Sequence, residues 1–233
     1  MIKKKNIKLD IVNLLDEIQN GKYSNIQMNY YFSQNEYSKK EREFITNIIN
    51  ITLKNLIFVD YMLGQTVRNI QKRKIKQLLR ISVAQILFMD SDNAGVVYEA
   101  GEISKIINKH QTGFVNATLQ SIIKNKEEII NAMPEDKKEG IVHSYPQWFV
   151  NKLKTDYPDD YTGIMKAYKE RSYLSVRYNR KKLSKDDFEK ILSEIKSEIL
   201  FSADEVYYLS NGNILATDEY KRGDTVSYTH LTL

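Results

Sequence analysis

Apolar residues recur at helical spacing along the first half of the chain. The densest stretch is residues 75–89, IKQLLRISVAQILFM. Its apolar residues lie three and four positions apart, and Ile81, Ala84 and Phe88 add apolar side chains to the opposite face. The main face comprises Ile75, Leu78, Leu79, Val83, Ile86 and Leu87. Because a helix that is apolar almost all round is enclosed by other helices, the pattern predicts the buried central helix of an α-helical domain.

The same spacing predicts helices on both sides of this segment. A capping box, Ser38-Lys39-Lys40-Glu41, opens the longest of them. Gly113, Asn116 and Ala117 leave little bulk at the start of the last one, so we expect a neighbouring helix to approach closely there. The predicted helices cover residues 7–18, 26–32, 39–64 with a break near Lys54-Asn55, 96–109 and 113–124.

The periodicity changes in the last third of the chain. Two predicted helices come before this change: one with Trp148 and Phe149 packed inward, and a second over 159–169. Residues 174–178 then alternate like a half-buried strand. A helix capped at Ser184, a strand over 206–209, an Asn-Gly turn and a continuation of the strand over 213–216 complete the predicted order.

The chain is long enough for two modest domains, with 233 residues of which 42% are apolar. Residues 127–140 are polar and contain Pro134 and Gly140, which break regular structure. The predicted fold is mainly α, with an all-α helical bundle followed by a small α+β domain. The predicted division is 1–130 for the bundle, 131–142 for a linker, 143–225 for the α+β domain and 226–233 for a tail.

Charge and composition narrow the class of protein. The net charge of +5 makes a polyanionic partner somewhat more favourable. The absence of cysteine excludes disulfides, thiolate metal sites and a cysteine nucleophile within this sequence. No apolar run approaches the roughly 20 residues of a membrane-spanning helix, and no signal peptide is apparent. We therefore expect a cytoplasmic protein with no membrane and no metal partner.

Basic residues form two candidate RNA-binding groups. No acidic residue occurs between Asp60 and Asp90, and a stripe of cations falls in that interval. On a continuous helix, the members four apart would lie on one face, where they would either contact phosphates or form an ordinary solvated surface. The stripe comprises Arg68, Lys72, Arg73, Lys74, Lys76 and Arg80, and the second group comprises Arg177, Arg180, Lys181 and Lys182, with Tyr173 and Tyr178 nearby as candidates for base stacking.

Other residues give weaker signals. Lys3, Lys4 and Lys5 form a basic arm that either touches RNA or is only a soluble terminus. His110, His143 and His230 have no neighbours that suggest a catalytic triad or a metal site, and no glycine-rich phosphate loop is present. The sequence therefore predicts no catalytic residue and no cofactor site in this chain.

Three segments carry a family resemblance: LLRISVAQILFMD, VVYEAGEISK and TGFVNATLQSIIK, over residues 78–90, 96–105 and 112–124. They resemble the NusB-like helical domain, in the version that begins bacterial small-subunit rRNA cytosine-5 methyltransferases of the RsmB/Sun family. SYPQWFVNKLK and the strand that follows resemble the α+β region of that family. The sequence departs from the family pattern at residues 50–54 and at Gln120, where the family usually has arginines.

The resemblance implies an RNA-binding region whose partner is rRNA, and a full-length protein that uses S-adenosylmethionine. The two cysteines and the cofactor loop of that chemistry are absent from this sequence. We therefore expect an N-terminal fragment that lacks the catalytic domain, in which VSYTHLTL, residues 226–233, is either non-native or a disordered end. Two alternatives remain: a free-standing NusB-like factor of transcription antitermination, and a helical interaction protein without an RNA partner.

Overall fold

The computed structural model describes residues 6–170, 173–203 and 205–227. The chain divides into two compact units, Met1–Lys169 and Glu170–Leu233. The basic arm at residues 3–5 and His230 lie outside the described residues.

The first unit is built from helices. Its described helices are α1 (Ile7–Ile18), α2 (Ser24–Gln34), α3 (Lys39–Lys54), α4 (Leu56–Thr66), α5 (Arg73–Phe88), α6 (Asn93–Asn108), α7 (Thr112–Asn131), α8 (Glu135–Val142), α9 (Gln147–Asp156) and α10 (Tyr161–Lys169). The segment 131–142, predicted as a linker, lies within this unit and contains α8. A short 3-10 helix, Lys109–Gln111, joins α6 to α7.

Local sequence accounts for the helix ends. The Ser38 hydroxyl accepts a hydrogen bond from the Glu41 amide while the Glu41 carboxylate accepts one from the Ser38 amide, which confirms the predicted capping box. The predicted break near Lys54-Asn55 is confirmed by the end of α3 and the start of α4. After α1, Gly21 adopts a φ of +94°, a left-handed conformation that favours glycine.

Helix α5 is the buried centre of the first unit. It packs against α1, α3, α4, α6 and α7. Ile75, Leu79 and Val83 are fully buried, and Ile81 on the other face is also buried. Each such side chain contributes about 1.5–3 kcal/mol on burial, so the enclosed helix predicted from the sequence contributes strongly to the core that the surrounding helices share.

Helices α6 and α7 approach closely where small residues were predicted to permit it. A Cβ atom added to Gly101 of α6 would lie 3.1 Å from Oδ1 of Asn116 on α7. The glycine therefore leaves room for the Asn116 side chain of α7 against α6.

The second unit is a small α+β domain. Its elements are β1 (Leu174–Tyr178), α11 (Lys185–Glu194), β2 (Ile199–Ala203), β3 (Val206–Leu209), a 3-10 helix (Asn213–Ala216), α12 (Asp218–Lys221) and β4 (Thr225–Ser227). The described strands form an antiparallel sheet in the order β2-β3-β1-β4. Helix α11 covers one face of the sheet, since Phe188 and Leu192 share a core with Val176 and Tyr207.

Two local predictions were wrong, and one strand was not predicted. Trp148 is 70% exposed rather than packed inward, and only its neighbour Phe149 is partly buried. Residues 213–216 form a 3-10 helix because the Asn213 side chain donates to the Ile195 carbonyl and Ile214 fills the end of the core. Strand β2 was missed because its side chains are mostly exposed and show no apolar alternation.

The segment predicted as a tail begins inside β4. Val226 pairs with Arg177 of β1, and residues 228–233 lie outside the described residues. The buried Thr225 anchors this edge strand.

Candidate RNA-binding surfaces

The cations of the predicted stripe occupy two kinds of position. Helix α4 ends at Thr66 and α5 begins at Arg73, so Arg68 and Lys72 lie in the connection between the helices. Both are exposed, and neither side chain makes a hydrogen bond or ion pair with a described residue. Lys76, on the first turns of α5, is partly exposed, and its ammonium group likewise has no polar partner among the described residues.

Arg73 joins the start of α5 to α1. Its Nη2 lies 2.8 Å from Oδ2 of Asp16, and its Nη1 lies 2.7 Å from Oδ1 of Asn20. The Asp16 side chain is nearly buried, whereas the Arg73 side chain remains 61% exposed. Lys74 donates to Asn13 of the same helix at 2.7 Å. These side chains stabilise helix packing and still present charge to solvent.

Arg80, in contrast, is enclosed by protein groups. Its Nε lies 2.7 Å from Oδ1 of Asp60, and its Nη1 donates to side-chain oxygens of Gln77 and Gln19. Its side chain is only 8% exposed. The structure therefore gives Arg80 carboxylate and amide partners inside the bundle, while the cations from Arg68 to Lys76 are those that face solvent.

In the second unit, Arg177 and Arg180 converge on one carboxylate. Nη2 of Arg177 lies 2.5 Å from Oε2 of Glu205, and Arg180 forms an ion pair with Oε1 of the same residue. The hydrogen bond from Arg177 is the main cause of a lowered pKa for the Glu205 carboxyl. Lys181 lines the same shallow pocket, whereas Lys182 pairs with Asp224.

The two tyrosines near this group differ in their surroundings. Tyr178 stacks on Phe188, with ring centroids 5.2 Å apart, so it belongs to the core beneath α11. Tyr173 is 54% exposed and meets the edge of Phe201. Tyr173 is therefore the more open of the two to a ligand from solvent, while Tyr178 contributes to the wall of the shallow pocket.

A further basic cluster in the first unit was not recognised from the sequence. Burial is the main cause of a lowered pKa for His143, followed by the nearby charges of Lys169 and Lys166. Burial also lowers the pKa of Lys169, with a contribution from Lys54, and the Lys169 ammonium donates to Asn55 at 3.0 Å. These cations come from distant parts of the sequence, so no local motif could have revealed the cluster.

The described residues offer little else for chemistry. They contain no group of three or more His, Asp or Glu side chains that could hold a metal ion. Within the same residues, no helix is both long enough and apolar enough to cross a lipid bilayer.

Comparison with known proteins identifies both parts of the chain. The model of the NusB family matches residues 5–124. The model described as "Methyltr_RsmF/B-like, ferredoxin-like domain" matches residues 145–206.

Individual relatives agree with these matches. The chain is 32% identical over 144 residues to the probable ribosomal RNA small subunit methyltransferase B of Bacillus subtilis, covering 60% of this chain and 32% of that protein. It is 21% identical over 165 residues to ribosomal RNA small subunit methyltransferase B of Cronobacter sakazakii, covering 69% of this chain and 38% of that protein. The chain thus spans about a third of the length of these relatives.

A solved structure supports the fold. The crystal structure of PH0851 is similar with a TM-score of 0.70 and 16% identity, covering 97% of this chain and 53% of that one. Since the NusB family model accounts for residues 5–124 and the ferredoxin-like model for 145–206, the chain belongs to the NusB family and corresponds to the N-terminal part of proteins named ribosomal RNA small subunit methyltransferase B.

Proposed function

We propose that this chain is the RNA-binding N-terminal region of an S-adenosylmethionine-dependent small-subunit rRNA (cytosine-5) methyltransferase of the cytoplasm. The observation that carries the proposal is the succession of the two family matches, NusB over 5–124 and RsmF/B-like ferredoxin-like over 145–206. In this proposal residues 1–130 form the RNA-binding domain and 143–225 precede the catalytic domain. The intervening residues 131–142 connect them as a helical segment that lies within the first unit and contains α8.

The residues of this chain do not fit S-adenosylmethionine. The described strands are antiparallel, so they form no parallel strand–helix–strand unit with a glycine-rich loop at its turn. Gly95 and Gly101 lie inside α6, and the sequence has no cysteine to act as a nucleophile. The methyl transfer therefore belongs to the part of the full-length protein outside this chain.

The proposed role of this region is to hold rRNA through its phosphates. Arg68, Lys72, Arg73 and Lys76 supply solvent-facing positive charge in the first unit. Arg177 and Arg180 supply it in the second. Arg80 contributes through the bundle, by fixing α5 against Asp60. Phosphate contacts set position and orientation without reading sequence, which suits a region that presents folded rRNA to a separate catalytic domain.

The alternative is a free-standing NusB-like factor of transcription antitermination. The NusB match supports it over residues 5–124, but it leaves the match over 145–206 without a role. Sequencing the gene downstream of codon 225 separates the two. The methyltransferase proposal expects an open frame with a glycine-rich cofactor loop and two cysteines, and a stop codon there in the native gene contradicts it.

RNA binding is tested by titrating small-subunit rRNA fragments against the purified chain over a salt series. With roughly four phosphate contacts, log K should fall with log salt at a slope of about −3. Absence of binding to every fragment at low salt would overturn the proposal. A slope near zero would remove the basic surfaces from it.

A further inference from the structure

Three aromatic rings contact one another on the sheet of the second unit. Phe201 and Tyr208 are stacked, with ring centroids 4.1 Å apart and an interplanar angle of 14°. Tyr173 meets Phe201 edge-on, with centroids 5.8 Å apart. Phe201 is 48% exposed and Tyr173 is 54% exposed, so about half of each of these residues is open to solvent, while Tyr208 is partly buried. We call Tyr173, Phe201 and Tyr208 the ring cluster.

The strand register places the stacked pair opposite α11. Tyr208 pairs with Ser175 of β1 and with Phe201 of β2, so these residues share one face of the sheet. The adjacent residue Tyr207 points to the other face, where it packs against Phe188 of α11. The ring cluster therefore lies on the face that α11 does not cover.

Positive charge borders this face. Arg177 follows Ser175 by two positions on β1 and so lies on the same face, about 7 Å further along the strand. Arg180 and Lys181 line a shallow pocket of about 360 Å³ together with Arg177 and Glu205. Among these described residues three cations surround one carboxylate, and the Arg180 side chain is 63% exposed.

We propose that this face binds an unpaired segment of RNA, with bases stacked on the ring cluster and the backbone directed along Arg180 and Lys181. The inference rests on the proposed function and specifies which form of RNA the second unit binds. Exposed rings offer flat surfaces to any base, and the neighbouring cations match a phosphate backbone rather than an apolar protein surface. A paired stem hides its base faces and should not use the ring cluster.

The test compares an unpaired oligoribonucleotide with a fully paired hairpin, using fluorescence anisotropy of the labelled RNA. Because base–aromatic stacking contributes roughly 1–3 kcal/mol per base, Phe201→Ala should weaken binding of the unpaired RNA by roughly 5–150-fold. Affinity for the hairpin should not change. Leu200→Ala is the matched control, since Leu200 is 42% exposed on the same strand and is not a ring.

A second variant keeps the inference testable if Phe201→Ala lowers stability. Phe201→Trp preserves an aromatic surface, so it should retain the affinity for unpaired RNA. The wild-type chain has one tryptophan, Trp148, so the fluorescence added at position 201 can be obtained by difference. Stacking of a base on the new indole should quench that added fluorescence as the unpaired RNA binds.

The outcomes separate the inference from the proposed function. Suppose the wild-type chain binds the hairpin and Phe201→Ala changes the affinity for neither the unpaired RNA nor the hairpin. The ring cluster then does not bind RNA, and the proposed function stands. If no RNA binds the wild-type chain, both fail. If RNA affinities are unchanged but Phe201→Ala converts a sedimenting dimer to a monomer, the face joins two copies of the chain and the inference is overturned.

Discussion

The guanidinium of Arg80 on α5 and the carboxylate of Asp60 on α4 form a two-point contact, with Nε 2.7 Å from Oδ1 and Nη2 2.5 Å from Oδ2. Gln77 and Gln19 accept further hydrogen bonds from the same guanidinium. Arg68 belongs to the same basic stretch of sequence but is exposed and has no such partners among the described residues. Two arginines of one predicted stripe thus have different physical roles.

Replacing Arg80 with alanine should destabilise the bundle. The change leaves Asp60 and Gln77 without their hydrogen-bond donor. Loss of one partner of a buried ion pair lowers the free energy of unfolding by roughly 2–4 kcal/mol when the other partner, here Asp60, keeps some solvent access. Urea unfolding monitored by circular dichroism measures this. Arg68→Ala is the control, expected within about 0.5 kcal/mol of wild type. An Arg80→Ala protein with unchanged stability and weaker RNA binding would make Arg80 a direct contact.

Replacing Arg68 and Lys72 together with alanine should weaken RNA binding while stability stays unchanged. Each lost phosphate contact reduces the salt slope by about 0.7–0.9, so the double variant should have a slope smaller by roughly 1.5. The control removes the same number of exposed cations elsewhere, as Lys39→Ala with Lys40→Ala. An equal loss of RNA affinity in both double variants would indicate general charge attraction rather than a defined binding surface.

The pKa of His143 should be measurably low in the free protein and should rise when RNA binds. Burial and the charges of Lys169 and Lys166 disfavour the imidazolium, while Glu139 opposes them. Because the folded-state pKa lies below the unfolded one, stability should fall as the pH drops below about 6.5, the unfolded histidine value. A phosphate near these lysines would offset their charge and raise the pKa.

NMR titration of the His143 ring with and without rRNA measures both effects, and His143→Gln is the control for the pH dependence of stability. An unchanged pKa in the complex would exclude this cluster from the RNA surface. The linkage predicts that the free energy of unfolding falls more for the wild type than for His143→Gln as the pH drops from neutral to well below 6.5. The same pH dependence in both proteins would contradict it.

Gly140→Ala should destabilise the first unit. A Cβ at this position would lie 3.0 Å from the backbone oxygen of Tyr145 and 3.0 Å from Oε1 of Gln147. The crowded backbone cannot move easily, because the Tyr145 amide also donates to the Gly140 carbonyl. The overpacking cost exceeds the gain in helix propensity, which leaves a loss of about 1–2 kcal/mol.

Gly64→Ala is the matched control for that change. Gly64 lies in α4, and nothing is within 4 Å of the Cβ position, so alanine should stabilise by up to about 1 kcal/mol. Thermal unfolding of both variants measures the difference. A destabilised Gly64→Ala protein would contradict the propensity argument, and a stabilised Gly140→Ala protein would contradict the crowding argument.

The sequence by itself determined the features that depend on nearby residues. The capping box at Ser38, the break at Asn55 and the enclosed helix α5 follow from side-chain types at spacings of three and four, because helices bring such positions together. The strand over residues 174–178 followed from alternation for the same reason. These contacts are local, so the pattern contains the information that specifies them.

Only the tertiary structure decided which cations face solvent and which rings meet. Arg80 is enclosed because α4 brings Asp60 beside it. Packing of distant segments likewise brings Lys169 near both His143 and Lys54. Phe201 of β2 and Tyr208 of β3 stack because of the register between the two strands, and β2 shows no alternation of its own. The partners of these side chains are set by contacts between remote elements, which a residue pattern along the chain does not encode.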